Sequence, residues 1–294
     1  MHVIWRFLYK WTKYFPLMYE LSYTERENMG GAMIFIKNIL VAICAAGLSA
    51  MAVASSYTIY VYHDDAPYSI PADTTDISRE WVKQANARQQ QIKLELKHID
   101  RPILNSMVES GQPYIILWAN ELWFKFRDKN VKSSRVIFWD ADTLVSLLHN
   151  PISYHNPKEL IGLRVGARYG HYYSDLNQLF KEDKVHRIDA RSSLENYLKL
   201  KNGIISAFLD GRSTILYMQK KLVFSRELFV SSNPQDAYSR HVLVSKHYEW
   251  MLPTLNRVID EMNNDREWQS KMEQWGLSEL VNPFELDLKE LDQL

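Results

Sequence analysis

Two stretches of this chain repeat one order of parts: an apolar strand, a helix, a strand, a helix stopped by glycine, and an apolar strand, with short links throughout. In the first, residues 57–62 (YTIYVY) are β-branched and aromatic and are followed by His63, Asp64, Asp65 and Pro67. Residues 77–90 are polar and helix-permissive, 92–96 alternate, 102–109 make a helix ending near Gly111, and 114–118 are apolar again. In the second, 163–167 (LRVGA) reads as strand, 175–180 as helix, 185–189 as strand and 194–201 as helix, with Gly203 as the stop and 204–209 as the closing strand. Strands that alternate with helices run parallel, with the helices packed on the sheet faces, so two similar α/β lobes are expected. Further on, the spacing of Leu255, Val258, Ile259, Met262, Trp268 and Met272 predicts helices over 253–275 that pack on a lobe already formed.

With 294 residues and 46% hydrophobic side chains, the chain has enough apolar surface for one large or two modest cores, which excludes disordered and fibrous architectures. Lys and Arg number 35 and so do Asp and Glu. That balance gives no reason to expect nucleic acid or an anionic membrane surface as a partner. The 17 Tyr, 11 Phe and 9 Trp suit both packed cores and clefts that grip a small organic ligand.

Residues 39–54 (ILVAICAAGLSAMAVA) carry no charge but fall short of the roughly 20 residues that span a bilayer. Lys37 precedes them, and Ala52, Val53 and Ala54 give the small-x-small pattern that a secretion peptidase accepts, so residues 33–54 read as a signal peptide cleaved after Ala54. Residues 1–32 then stand as an upstream extension that a misplaced start codon would explain; an uncleaved anchor with a short cytoplasmic arm is the other reading. The only cysteine, Cys44, lies inside the signal, so the mature chain would have neither a disulfide nor a catalytic thiol. Loss of residues 1–54 removes five basic and three acidic residues and leaves a mildly acidic, exported protein.

From residue 57 to about 280 the pieces stand in a fixed order: the first strand leading to Ala66-Pro67-Tyr68, Ser110-Gly111 before a strand, and the run from Glu159 through Gly162 to Gly166. Gly170, the segment 200–210, Val244-Ser245-Lys246 and the closing segment 268–276 complete it. That order resembles the family-three extracellular solute-binding proteins of bacterial amino-acid uptake. The resemblance implies an α/β, two-lobed periplasmic-binding-protein-like fold, each lobe a mainly parallel sheet flanked by helices, joined by two crossing strands and closing like a hinge. The first lobe would hold 57–143 plus 244–294 and the second 147–238, with crossings at 145–148 and 240–244. The function implied is capture of a small polar solute, an amino acid or related compound, by a periplasmic monomer that delivers it to the membrane permease of an ABC-type importer. A ligand sensor or degenerate copy signalling to a membrane partner, and an exported enzyme on the same fold, are the alternatives.

An amino acid presents a carboxylate and an ammonium, so its site needs a guanidinium or a helix N-terminus for one and a carboxylate for the other. Asp210 ends a predicted strand, where open α/β sheets place ligand contacts, and it matches the family position that accepts the amino group. The family's carboxylate clamp falls near Arg127, with Arg135 as the second candidate in a charge-rich segment. Tyr114 stands where the family commonly has Asp, and residues 118–121 stand where it has small hydroxyl side chains, so the chain departs from the family pattern at both places. Tyr62, Tyr68 and Trp118 are placed to line a cleft wall. The turn of Tyr169, Gly170, His171 and Tyr172 leads from strand toward helix, where backbone N–H groups receive anions. Adjacent residues in an extended segment point apart, so His63, Asp64 and Asp65 make no metal site, and no cofactor is expected. No Gly-x-Ser-x-Gly elbow is present, and no Ser, His and Asp are paired by spacing.

Overall fold

The computed structural model describes residues 55–70, 75–221 and 226–281, all within one compact unit. The expected extension (1–32), signal peptide (33–54) and Cys44 lie outside the described residues. Among the described residues, no helix is long and apolar enough to cross a membrane.

The first half begins with β1 (Ser56–Val61), which leads through a loop to α1 (Ile77–Ala87). The Asp76 side chain caps α1 by accepting from Arg79 N at 2.8 Å, and Ile77, Trp81, Val82 and Ala85 form its buried stripe. Next come β2 (Lys93–His98), α2 (Arg101–Glu109) and β3 (Ile115–Ala119). Pro102 sits in the first turn of α2, and Gly111 follows its end at φ 72°, a left-handed conformation that glycine adopts without strain. A short β4 (Lys132–Ser133) precedes the long β5 (Phe138–Leu147).

The second half repeats the pattern with β6 (Arg164–Arg168), α3 (Asn177–Lys181), β7 (His186–Ala190), α4 (Ser193–Lys201) and β8 (Ala207–Gly211). It continues into α5 (Arg212–Lys221) and the 17-residue β9 (Leu228–Val244). Helices α6 (Leu252–Asn263), α7 (Arg266–Gln274) and α8 (Ser278–Val281) close the described chain.

The strands lie in the order β2-β1-β3-β9-β5-β8-β6-β7. Strands β1, β2 and β3 are parallel, as are β6, β7 and β8, and the trios β2-β1-β3 and β7-β6-β8 are wound alike. Between them β5 and β9 pair antiparallel from Phe138↔Arg240 to Leu147↔Leu228. The far end of β9 pairs with β3 and β4, and β8 pairs with β5, so β9 belongs to both sheets.

Each trio has a core on both faces, because alternate side chains of a central strand point opposite ways. In the first, Ile59, Ile115 and Leu117 pack against Trp81 of α1, Leu255 and Ile259 of α6 and Trp268 of α7, while Tyr114 and Ile116 pack against Leu104 and Val108 of α2. In the second, Val165, Ala207 and Leu209 meet Tyr173 and Leu176, while Phe208 meets Tyr197, Leu200 and Ile215. Each such aliphatic or aromatic side chain contributes on the order of 1.5–3 kcal/mol on leaving water.

Packing is tightest at Gly166 in β6. A Cβ there would stand 2.6 Å from Asn196 Oδ1, 2.6 Å from Ile205 Cδ1 and 2.8 Å from Phe208 Cβ. Gly166→Ala is therefore expected to destabilise the protein by about 1–3 kcal/mol in urea denaturation, through overpacking rather than backbone strain.

Candidate functional site

The loops that follow β1, β3 and β6, the end of β8, the first half of β5 and the later part of β9 bring charged and aromatic side chains to one region. Its centre is Arg240, 4% exposed, on β9. Arg240 Nε and Nη2 each lie 2.7 Å from Asp140 Oδ2, and Nη1 donates to the Trp118 carbonyl at 2.8 Å. Nη1 also lies 3.1 Å from His63 Nε2, Nη2 lies 3.5 Å from Tyr238 Oη, and the guanidinium stacks 4.6 Å from the Tyr68 ring centre. Asp140 accepts in addition from Tyr68 Oη (2.9 Å), Ser213 Oγ (2.7 Å) and Ser213 N (3.0 Å). Burial pushes the Asp140 carboxyl up, but Arg240 and the Ser213 donors outweigh it and hold the group below its ordinary range. Burial and then the charge of Arg240 hold His63 well below an ordinary histidine, so its ring is neutral.

Trp118 adopts φ 63°, a left-handed conformation that is costly for a bulky side chain, where the β3–β9 register breaks between Ile116 and Ala119. The break aims its carbonyl at Arg240. Its indole ring lies in the first core against Phe138 and Trp81, and Nε1 donates to Ser78 Oγ at 2.8 Å. Ser78 Oγ in turn donates to the Tyr68 carbonyl at 2.6 Å, which fixes the loop carrying Asp65 and Tyr68.

A second charge group spans from that loop to the second trio. Arg168, at the end of β6, pairs with Asp65 at 2.6 Å, and Asp65 also accepts from the backbone N–H of Ser193 at the start of α4. Beside them Asp210 is 5% exposed. Its Oδ1 accepts from Gly211 N at 2.9 Å, while Oδ2 has no hydrogen-bond partner. Ser193 Oγ stands close by without a bond of normal geometry, and Arg168 Nη1 is likewise buried without an acceptor. Burial, reinforced by the charge of Asp65 and only partly opposed by Arg168, pushes Asp210 up to about 7.

The remaining sequence candidates are placed as follows. Gly170 turns at φ 75°, but helix α3 begins only at Asn177, so the N–H groups of this turn are not a helix N-terminus. His171 Nε2 instead lies 3.1 Å from Asp142 Oδ2, and Asp142 Oδ1 accepts from Tyr238 Oη at 3.0 Å. Tyr172 is 71% exposed. Tyr68, 2% exposed, reaches the site through its hydroxyl. Arg127 pairs with Glu109 at 2.8 Å near the end of α2, and Arg135 pairs with Asp260 on α6. Neither arginine touches the Arg240 or Arg168 groups. Arg240, Asp140, Asp65, Arg168 and Ser213 were not singled out from sequence as site residues. The one signal available for Asp65 and Arg168 was their place just beyond or at the end of a predicted strand. Among the described residues no group of three or more His, Cys, Asp or Glu is arranged to hold a metal ion.

No family model matches the chain, and no curated protein matches it. Solved structures do. The ligand-binding core of GluR0 in complex with L-glutamate is similar over 76% of this chain and 100% of that one, with a TM-score of 0.61 and 14% identity. The L-cystine solute receptor of Neisseria gonorrhoeae in the unliganded open conformation is similar over 78% and 96% (TM-score 0.57, 15% identity), and a mutant of ArgBP from T. maritima over 75% and 94% (0.57, 18%). The fold is that of the periplasmic solute-binding proteins.

Two outcomes follow from the electrostatics. Arg240→Met leaves Asp140 buried without its counter-ion and is expected to cost about 3–5 kcal/mol in urea denaturation. Asp210 keeps its proton in the folded state from its ordinary 3.8 up to about 7, a window in which the unfolded chain has released it. Its contribution therefore lowers stability as pH rises through that window and is level above it. Asp210→Asn is expected to melt higher than the parent at pH 8, by about 2–4 °C for each kcal/mol relieved, with the gap closing toward pH 4.

Proposed function

We propose that this chain is an exported binding protein that takes a small polar solute, an amino acid or related compound, between two lobes and presents it to the membrane permease of an ABC-type importer. The lobes are residues 57–143 plus 244–294 and residues 147–238, and the protein reaches the periplasm through the signal at 33–54. The observation that carries this reading is the buried Asp210 carboxylate, which ends a parallel strand and leaves Oδ2 without a partner beside the Asp65–Arg168 pair. Such an oxygen is costly to bury alone and is satisfied by a ligand's ammonium. Arg168 Nη1, buried without an acceptor, offers a ligand oxygen a place next to it.

Closure follows from the same contacts. Asp65 stands on the loop after β1 and Arg168 on β6, so their ion pair joins the two trios, and a ligand that binds only when they meet shifts the hinge equilibrium toward the closed form. The solved structures of this fold compared above are binding proteins and receptors, which favours capture of the solute without turnover.

The test is a thermal-shift screen of the purified protein against amino acids, amines and organic acids. A true ligand at a hundredfold excess over Kd contributes about 2.7 kcal/mol, or roughly 5–10 °C in a domain of this size. Asp210→Ala should remove that response. A screen in which no compound moves the melting point removes the solute-binding reading.

A further inference from the structure

The charges around the site do not balance, and the surplus has a definite sign. Arg240 is fully engaged: Nε and Nη2 lie on Asp140, Nη1 lies on the Trp118 carbonyl and His63, and Nη2 also approaches Tyr238. Its charge is matched by Asp140. Arg168 is matched by Asp65 at 2.6 Å, and the same Asp65 occupies the Ser193 N–H at the start of α4. The two groups in the second trio best suited to a ligand's carboxylate, a guanidinium and a helix N-terminus, thus already hold a carboxylate supplied by the chain. Arg127 and Arg135 are committed to Glu109 and Asp260. The charges acting most strongly on Asp210 are those of Asp65 and Arg168, which are already paired with each other. Asp210, with Oδ2 buried and unpartnered, is left as an acidic group without a counter-ion of its own.

Resting on the solute-binding reading above, we infer that the site takes a solute of net positive charge, whose cationic nitrogen is the counter-ion of Asp210. With Asp210 ionised, a neutral zwitterion would bring its own carboxylate toward Asp65 and Asp210 and leave the set of Arg240, Asp140, Arg168, Asp65 and Asp210 with one uncompensated negative charge, a configuration that low-polarity surroundings penalise. A basic amino acid or a plain amine leaves none. These two sources share the cationic nitrogen and differ in whether an oxygen reaches Arg168 Nη1.

Calorimetric titration of the purified full chain with lysine, arginine, 1,5-diaminopentane, glutamine and glutamate separates the outcomes. Lysine, arginine or the diamine should bind at least about tenfold more tightly than glutamine and glutamate. Preference for lysine over the diamine identifies a basic amino acid, and the reverse identifies an amine. Glutamine or glutamate binding as tightly as the cations overturns the inference while leaving the solute-binding reading in place; no binding by any of the five overturns the inference, and only a wider screen without a ligand removes the other reading as well. Asp65→Asn provides a check that does not depend on absolute affinity. It releases Arg168 and the start of α4 to receive a carboxylate, so the lysine-to-glutamine affinity ratio should fall about tenfold or more, and an unchanged ratio in a folded variant overturns the assignment. Asp210→Asn should weaken the cation by about tenfold or more, and retained affinity also overturns it.

Discussion

A guanidinium and a carboxylate buried between strands hold one another in place only when every donor and acceptor is matched, and Arg240 and Asp140 meet that condition. Arg240 faces Phe138 and Asp140 faces Tyr238 across the β5–β9 ladder, so the two charges are diagonal neighbours where the two sheets join. Around the pair converge Tyr68 from the loop after β1, the Trp118 carbonyl from the β3 bulge and the start of α5 through Ser213. The left-handed Trp118 is understandable on this ground: its backbone cost is set against a charge-assisted bond to a guanidinium that has no water to turn to.

The Asp65–Arg168 pair does a different job. It links the loop after β1 to the end of β6, elements of different trios, whereas Arg240 and Asp140 lie on strands that run between them. In the proposed hinge the Arg240–Asp140 pair holds the joint and the Asp65–Arg168 pair is the contact that opening would break. Asp210 stands beside the Asp65–Arg168 pair, so the proposed closure would act on its unmatched carboxyl group. The proposed function calls for such an arrangement, because only contacts that differ between open and closed states bias a hinge.

Much of the fold was legible in the sequence. The β-branched segment at 57–62, the all-buried β3, the glycine after α2 and the spacing of Leu255, Val258, Ile259 and Met262 appear close to where the pattern put them, because each is a local consequence of strand alternation or helical periodicity. The full lengths of β5 and β9 were not legible. Their sequences, FWDADTLVSL and LFVSSNPQDAYSRHVLV, contain Asp, Ser, Asn and Pro, which read as turn, and they are strands because they pair with each other over their length. Helix α5 was missed as well. It starts directly after β8 without a separating link, and its early backbone is held by Asp140, 73 positions away.

The site divides along the same line. Asp210 could be put forward as a candidate from sequence because the end of a parallel strand, where it stands in β8, is a place fixed by topology. The arginines could not, since the chain offers many and an arginine's role depends on which carboxylate reaches it: Arg127 went to Glu109, Arg135 to Asp260, Arg168 to Asp65 and Arg240 to Asp140. By itself the sequence determined two wound α/β trios and their order, for these follow from local periodicity and short links. Only the tertiary structure decided which charges are matched and which one is left over, because ion pairing is set by distance in space, and residues 103 and 100 positions apart meet in the two pairs on which the site rests.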